Sequence, residues 1–360
     1  MVMNLVREFS LECEEIDLLV IRARGPHFDD IPANVRLVKL QARHTLTAIP
    51  ELVRYFRRER PAAMLVAKDR AARAALIARK IAKVPTRIVV RLGTNLSTAL
   101  KHRSGISAWW RTAPMRKIYA SVDKVVAVSE GVREDTLKIT GLPPERVCVV
   151  RNPVITEAFY KQAEALSPHA WMTETDVPVI MGIGRLSVQK DFETLIKAFR
   201  LVKNQTNARL LILGDGSLRY SLEELVEKLE LGDCVLLPGF QKNPNAWLAR
   251  ASVFVLSSRW EGSPNALTEA LALGIPSVST LCPSGPDELL QNGKYGVLVN
   301  MGDVEAMARA IIETMERPLP ADFIKESVVE YSAHTSAGHY LRLLKGLTSL
   351  QTKTQSVEEN

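Results

Sequence analysis

The stretch Arg259–Gly274 reads R-W-E-G-S-P-N-A-L-T-E-A-L-A-L-G and sets two carboxylates, Glu261 and Glu269, eight residues apart. Glu261 falls in the loop after an apolar run, and Glu269 inside the helix expected next. Pro264 suits a first helical turn, where its missing N–H costs nothing. Such a helix start offers free backbone N–H groups and a positive dipole end. Carboxylates that accept hydrogen bonds from hydroxyls, beside N–H groups that hold phosphate oxygens, suit a sugar phosphate. Taken alone, the pair reads more readily as a loop acid and a surface helix residue.

A second cluster is Gly182–Lys190, G-I-G-R-L-S-V-Q-K. Gly182 and Gly184 permit a tight turn, and Arg185 and Lys190 put two cations in one loop. They would neutralise a diphosphate as a sugar–phosphate bond breaks. Because both sit in a loop, their replacement is expected to cost activity and little stability. The loop is neither a Walker A sequence nor G-x-G-x-x-G, and a plain strand-to-helix turn is as good a reading. Weaker signals are Leu211–Gly216 (L-I-L-G-D-G), Leu237–Gln241 (L-P-G-F-Q), where Phe240 could border a nucleobase or pack in its loop, and Cys282–Glu288 (C-P-S-G-P-D-E).

The elements that must position these residues alternate in type. Strands are expected at Val177–Met181, Arg209–Leu213, Val235–Leu237, Val253–Leu256, Ser277–Ser279 and Val297–Val299. Helices are expected at Asp191–Val202, Leu218–Leu229, Asn245–Arg250, Asn265–Leu273, Pro286–Gln291 and Val304–Met315. Short β-branched runs alternating with helical segments indicate a parallel sheet covered on both faces. The first half repeats the logic, with strands at Ile16–Ile21, Val35–Val38, Met64–Ala67, Arg87–Arg91, Lys124–Val128 and Val147–Val150. Its helices are expected at Val2–Ser10, Thr47–Glu59, Arg70–Ala82 and Gly131–Thr140. Glu157–Asp176 reads as an irregular linker. Each chemical cluster follows a strand.

Hydrophobic residues make up 46% and charged residues 24%, which excludes a disordered, collagen-like or coiled-coil chain. No apolar run approaches the ~18 residues of a membrane span, and no secretory signal is read at the start. Cys13, Cys148, Cys234 and Cys282 form no metal-type pair or disulfide framework, which fits a reducing cytoplasm. Residues 1–170 hold 29 Lys+Arg against 17 Asp+Glu, and residues 171–360 hold 18 against 23. The basic half suits an anionic partner such as a membrane surface, or is a solvated basic face. Nucleic-acid binding lacks any motif.

Together, Gly184-Arg185-Leu186 with Lys190, Gly214-Asp215-Gly216, Pro238-Gly239-Phe240 and the Glu261/Glu269 pair resemble glycosyltransferase family 4. Ala127-Val128-Ser129 and Asn152-Pro153 resemble its domain junction. The resemblance implies an α/β GT-B fold, two facing Rossmann-like domains with parallel sheets. It implies an acceptor-side domain over 1–165, a nucleotide-sugar domain over 166–335 and a crossing-back helix over 336–349; the tail over 350–360 reads as disordered from its polar composition.

By the same resemblance Arg185 and Lys190 hold the donor diphosphate, Glu269 the ribose hydroxyls and Glu261 the donor sugar. The segment Ser263, Pro264, Asn265 to Leu267 lies beside the sugar and phosphates; Gly184 of the cation loop and Phe240, the residue that could border a nucleobase, complete the substrate-binding set. The family retains anomeric configuration and needs no metal or other cofactor, and no D-x-D pair is present here. The implied function is a retaining transferase moving a sugar from a UDP-type nucleotide sugar to a glycan or lipid-linked acceptor. It would work in the cytoplasm. Apart from the resemblance, Arg54, Arg57, Arg58 and Arg60 of the basic half, with Tyr55, Phe56, Trp109 and Trp110 lying among its cations, suit peripheral contact with an anionic membrane, or are core aromatics and solvated arginines. Two departures stand out. The family's opening strand and glycine loop are not seen before Val2, and its His after the fourth strand is replaced by Gly93-Thr94-Asn95. The first leaves open a catalytically impaired sugar-nucleotide-binding protein or partner subunit.

Overall fold

The computed structural model describes residues 1–21, 31–97, 115–167, 169–174 and 176–346. In the second half, β7 (Val179–Ile183), β8 (Arg209–Leu213), β9 (Val235–Gly239), β10 (Val253–Leu256), β11 (Ser277–Thr280) and β12 (Val297–Val299) form one parallel sheet. The strand order is β12-β11-β10-β7-β8-β9. From β7 the chain first winds outward through β8 and β9, then returns to β10 and winds the other way. The loops after β7 and β10 therefore diverge at a topological switch point, which is where an open α/β sheet leaves a crevice for a ligand. Those two loops are 184–191 and 257–264, the segments that carry the candidate cations and carboxylates.

Neighbouring side chains on each strand face opposite ways, and both faces are filled. Ile180, Leu210, Ile212 and Val255 pack against Leu195, Ile196 and Phe199 of one helix (Phe192–Lys203) and against Met307 and Ile311 of another (Val304–Glu316). Met181, Leu211, Phe254 and Leu256 pack on the other side, against Leu267 and Leu271 of Asn265–Ala272. A wholly apolar strand is the consequence, and it makes these strands legible in sequence.

The first half has β3 (Ala63–Ala67), β4 (Arg87–Leu92), β5 (Lys124–Ala127) and β6 (Val147–Val149) as a four-stranded parallel sheet. A separate parallel pair is formed by β1 (Ile16–Val20) and β2 (Val35–Lys39). One face of the larger sheet is covered by α2 (Ile49–Glu59) and α3 (Asp69–Ala82) through Phe56, Ala72 and Leu76. The other is covered by α1 (Val2–Glu12) and by the helix Ala333–Leu344, whose Tyr340 and Leu341 pack with Leu5, Phe9, Val89 and Val126. The chain thus returns to the first half at its end.

The stretch expected as an irregular linker contains a helix, Glu157–Ala163, capped by Thr156, whose Oγ1 accepts from the Phe159 N–H at 3.0 Å. Phe159 is buried with Trp247 and Leu248 in the second half's core. Gln162 Oε1 accepts from Asn245 Nδ2 at 2.9 Å. The helix expected over 336–349 begins earlier, at Ala333, because the Ser332 hydroxyl caps it by accepting from Thr335 N–H at 3.0 Å. Among the described residues no helix is long and apolar enough to cross a membrane.

Candidate active site

The loops after β7 and β10 are tied to each other by four contacts. Arg259 pairs bidentately with Asp191, Nε to Oδ2 at 2.9 Å and Nη2 to Oδ1 at 3.2 Å. Arg259 N–H donates to the Gln189 carbonyl at 2.8 Å. Gln189 Nε2 donates to the Trp260 carbonyl at 2.9 Å, and Ser257 Oγ to the Lys190 carbonyl at 2.7 Å. The backbone bends there through Asp191, which sits in the left-handed region at φ 47°. This lacing sets the side chains of Lys190 and Glu261 face to face.

Lys190 Nζ lies 2.7 Å from Glu261 Oε1, and Ser258 Oγ donates to the same oxygen at 2.7 Å. The two ionic side chains are 17% and 9% exposed, so the pair is largely removed from water. This corrects the expectation that a loop position frees Lys190 from a structural role: breaking a buried pair leaves an uncompensated charge. Gly184 lies under the lysine stem, where an added Cβ would come within 2.8 Å of Lys190 Cε. Arg185, in contrast, is exposed and has no ion pair among the described residues.

The other wall is the helix Asn265–Ala272. Pro264 is its N-cap rather than its first residue, with extended backbone at φ −77° and ψ 92°. Glu269 follows Asn265 by four residues and shares its helix face. Burial raises its carboxyl to about 7, against the Met1 α-amine and Lys190, which hold it down. Ser263 Oγ is shielded from solvent and meets no hydrogen-bond partner among the described residues. Leu267 belongs to the core, fully buried, and supports the helix. Phe240 stands 73% exposed at the end of β9, where it can meet a ligand face without first leaving the core.

The first half closes over this edge. A Cβ at Gly262 would lie 2.2 Å from the Gly93 carbonyl oxygen, so the two backbones touch only because residue 262 is glycine. Ser284 Oγ donates to Asn95 Oδ1 at 3.1 Å. Glu288 accepts from the N–H groups of Glu130 and Gly131 at 2.9 and 3.2 Å and pairs with Arg151 Nη1 at 2.6 Å. It caps the helix Glu130–Thr140 from the other half of the molecule.

Arg185, Lys190, Glu261 and Glu269 thus line one sheet edge. Sequence reasoning missed Ser258, the Asp191–Arg259 pair and the Glu288 clasp. Cys282–Glu288, a weak signal in the sequence, gains through Glu288 an inter-half role that only the fold reveals. No group of three His, Cys, Asp or Glu side chains that could hold a metal is found among the described residues.

The comparisons with known proteins agree with this architecture. The family model for glycosyl transferases group 1 matches residues 168–328, and that for the glycosyl transferase 4-like domain matches residues 1–153. The chain belongs to this glycosyltransferase family, and its fold is GT-B.

It is 35% identical over 170 residues to the lipopolysaccharide core biosynthesis glycosyltransferase LpsE of Rhizobium meliloti, covering 47% of this chain and 48% of that one. It is 30% identical over 199 residues to a Campylobacter jejuni N-acetylgalactosaminyltransferase named as acting on a diphospho-undecaprenol-linked saccharide, covering 55% and 52%. An uncharacterized glycosyltransferase of Methanocaldococcus jannaschii is 45% identical over 134 residues, 33% of each chain. The matches thus span about a third to a half of these relatives' length. Among solved structures, Anabaena HepE in complex with UDP superposes with TM-score 0.77 at 18% identity, over 96% of this chain and 95% of that one. The lipopolysaccharide outer core galactosyltransferase WaaB superposes with TM-score 0.72 at 19% identity, over 96% and 94%.

Proposed function

We propose that the protein is a retaining glycosyltransferase that moves a sugar from a nucleotide-diphosphate sugar, of UDP type, to a hydroxyl of a glycan or lipid-linked acceptor. The observation that carries this reading is the convergence of Arg185, Lys190, Glu261 and Glu269 on the switch-point edge, beside a helix start. As the bond from the anomeric carbon to the diphosphate oxygen breaks, negative charge grows on that oxygen. Arg185, Lys190 and the free N–H groups that open the helix Asn265–Ala272 would receive it. The acceptor hydroxyl attacks from the same face, and its proton leaves with the diphosphate. Closure of the two halves, held by Glu288, would keep water from the reacting carbon. Glu261 and Glu269 orient hydroxyls rather than act as nucleophiles, and no metal is needed.

Arg54, Arg57, Arg58 and Arg60 are exposed on and just after α2, while Tyr55 and Phe56 turn inward, Tyr55 Oη donating to Asp17 Oδ2 at 2.7 Å. Trp109 and Trp110 lie outside the described residues. The membrane contact proposed for this face therefore rests on cations alone, each contributing about 1 kcal/mol near an anionic surface. Incubating the chain with labelled UDP-hexoses and polyprenyl-diphosphate saccharides, followed by product analysis, tests the reading. Label moved to acceptor with retained configuration supports it, and binding of nucleotide sugar with no transfer would favour the impaired binding protein.

A further inference from the structure

Arg91 is the last but one residue of β4 and shares its strand face with Val89. It is 7% exposed, makes no ion pair among the described residues, and its Nε has no partner. Its Nη2 donates to Asn152 Oδ1 at 2.7 Å. Asn152, 3% exposed, donates from Nδ2 to Asn265 Oδ1 at 2.8 Å. Three side chains therefore run from the first half, through the junction between the halves, to the first residue of the helix Asn265–Ala272. The junction is itself held, since Asn4 Nδ2 donates to the Pro153 carbonyl at 2.8 Å.

The direction of this chain is fixed by chemistry. A guanidinium has five donors and no acceptor, and it stays charged. Asn152 can meet Arg91 only with its oxygen, so its amide nitrogen must face Asn265. Asn265 must answer with its own oxygen, which leaves its two N–H bonds at the helix start, without an acceptor among the described residues. Without Arg91, both amides could turn over at little cost.

We propose that Arg91 and Asn152 are positioning residues whose relay fixes the Asn265 side-chain amide as a hydrogen-bond donor to a phosphate oxygen of the sugar nucleotide. The inference rests on the proposed function and adds a side-chain donor to the backbone donors of the helix start. It also couples closure to ligand binding, because the relay exists only while Asn152 and Asn265 are in register.

Titration calorimetry of the full chain with UDP, GDP and their hexose conjugates tests it, with melting followed in parallel. Asn265→Asp keeps the oxygen that Asn152 needs but presents no N–H and adds a negative charge. It should weaken nucleoside-diphosphate binding at least ~10-fold, the scale of a hydrogen bond to a charged group. Arg91→Lys, still a pure donor, should stay within about 2-fold of the unsubstituted chain, while Arg91→Met should lose roughly 3–10-fold. Arg91→Met should add nothing in an Asn265→Ala background, because it acts only through that amide. Equal binding by Asn265→Asp and the parent would overturn the proposal, as would equal loss in Arg91→Lys and Arg91→Met or additive loss in the double variant. Loss confined to the hexose conjugates would place the amide on a sugar hydroxyl and overturn the phosphate assignment. If Arg91→Met does not fold, Asn265→Asp and Arg91→Lys still decide. If the parent binds none of these nucleotides, the proposed function itself falls, and the relay with it.

Discussion

Replacing Lys190 by Ala removes the cation from a carboxylate that the fold has taken out of water. Glu261 would keep the Ser258 hydroxyl at 2.7 Å but lose the ammonium at the same distance. Removing one partner of a buried pair costs about 3–5 kcal/mol, and the 17% exposure of Lys190 places the cost at the lower end. A loss of about 3 kcal/mol corresponds to a fall of roughly 6–12 °C in the melting of a domain of this size. Turnover should fall at least ~100-fold, the scale of losing one charge-stabilising donor. The double variant Lys190→Met with Glu261→Gln separates the two effects. It leaves no unpaired ion, so stability should return to within about 1 kcal/mol of the parent, while turnover stays lost. Melting curves and nucleotide-release assays on the three proteins read both quantities. Unchanged melting in Lys190→Ala would refute the buried pair, and near-parental turnover would refute its assignment to the leaving group.

Glu269 should impose a pH dependence. Burial holds its carboxyl near 7, above the ordinary 4.5, so the folded chain keeps a proton that the unfolded chain releases. Stability from this group is present below about 4.5 and is lost as pH rises through about 7; Glu269→Gln should flatten that part of the profile, and an unchanged slope would contradict the assignment. Glu288→Ala should free the helix start at Glu130 and open the halves, read as a larger radius of gyration in solution scattering, whereas identical scattering would deny it the role of clasp. Activity should survive EDTA, and complete loss restored by Mn²⁺ would overturn the metal-free mechanism. Co-sedimentation with anionic vesicles at low salt should weaken in Arg54→Glu with Arg57→Glu, and absence of binding by the parent would remove the membrane contact.

Much of the second half was legible because its strands are buried on both faces and so are wholly apolar, as at Leu210–Leu213 and Val253–Leu256. The loops after them were legible because glycines and cations cluster there. Glu157–Ala163 was not, because E-A-F-Y-K-Q-A offers only Phe159 and Ala163 to the core, too few to show helical periodicity. Arg91 reads in sequence as one cation in a strand. Its role depends on Asn152, 61 positions away, and on Asn265, a further 113 away. The signal that could have found it was the charge itself: a cation inside an otherwise apolar strand run, R-I-V-V-R-L, needs a partner. Lys190 was recognised as a chemical residue while its ion pair was not, because pairing with Glu261 depends on the crossing between β7 and β10.

The central claim is that the switch-point edge binds a nucleotide-diphosphate sugar through Arg185 and Lys190. The most direct measurement is the melting of the full chain and of Arg185→Ala against a panel of UDP-, GDP- and ADP-linked sugars. Arg185 is exposed and unpaired among the described residues, so its removal leaves the unliganded melting temperature in place. At a hundredfold excess over Kd a ligand adds about 2.7 kcal/mol, roughly 5–10 °C here. The account predicts such a rise for at least one diphosphate sugar in the parent chain and its loss in Arg185→Ala. No rise with any diphosphate sugar, or an equal rise in both proteins, would contradict it.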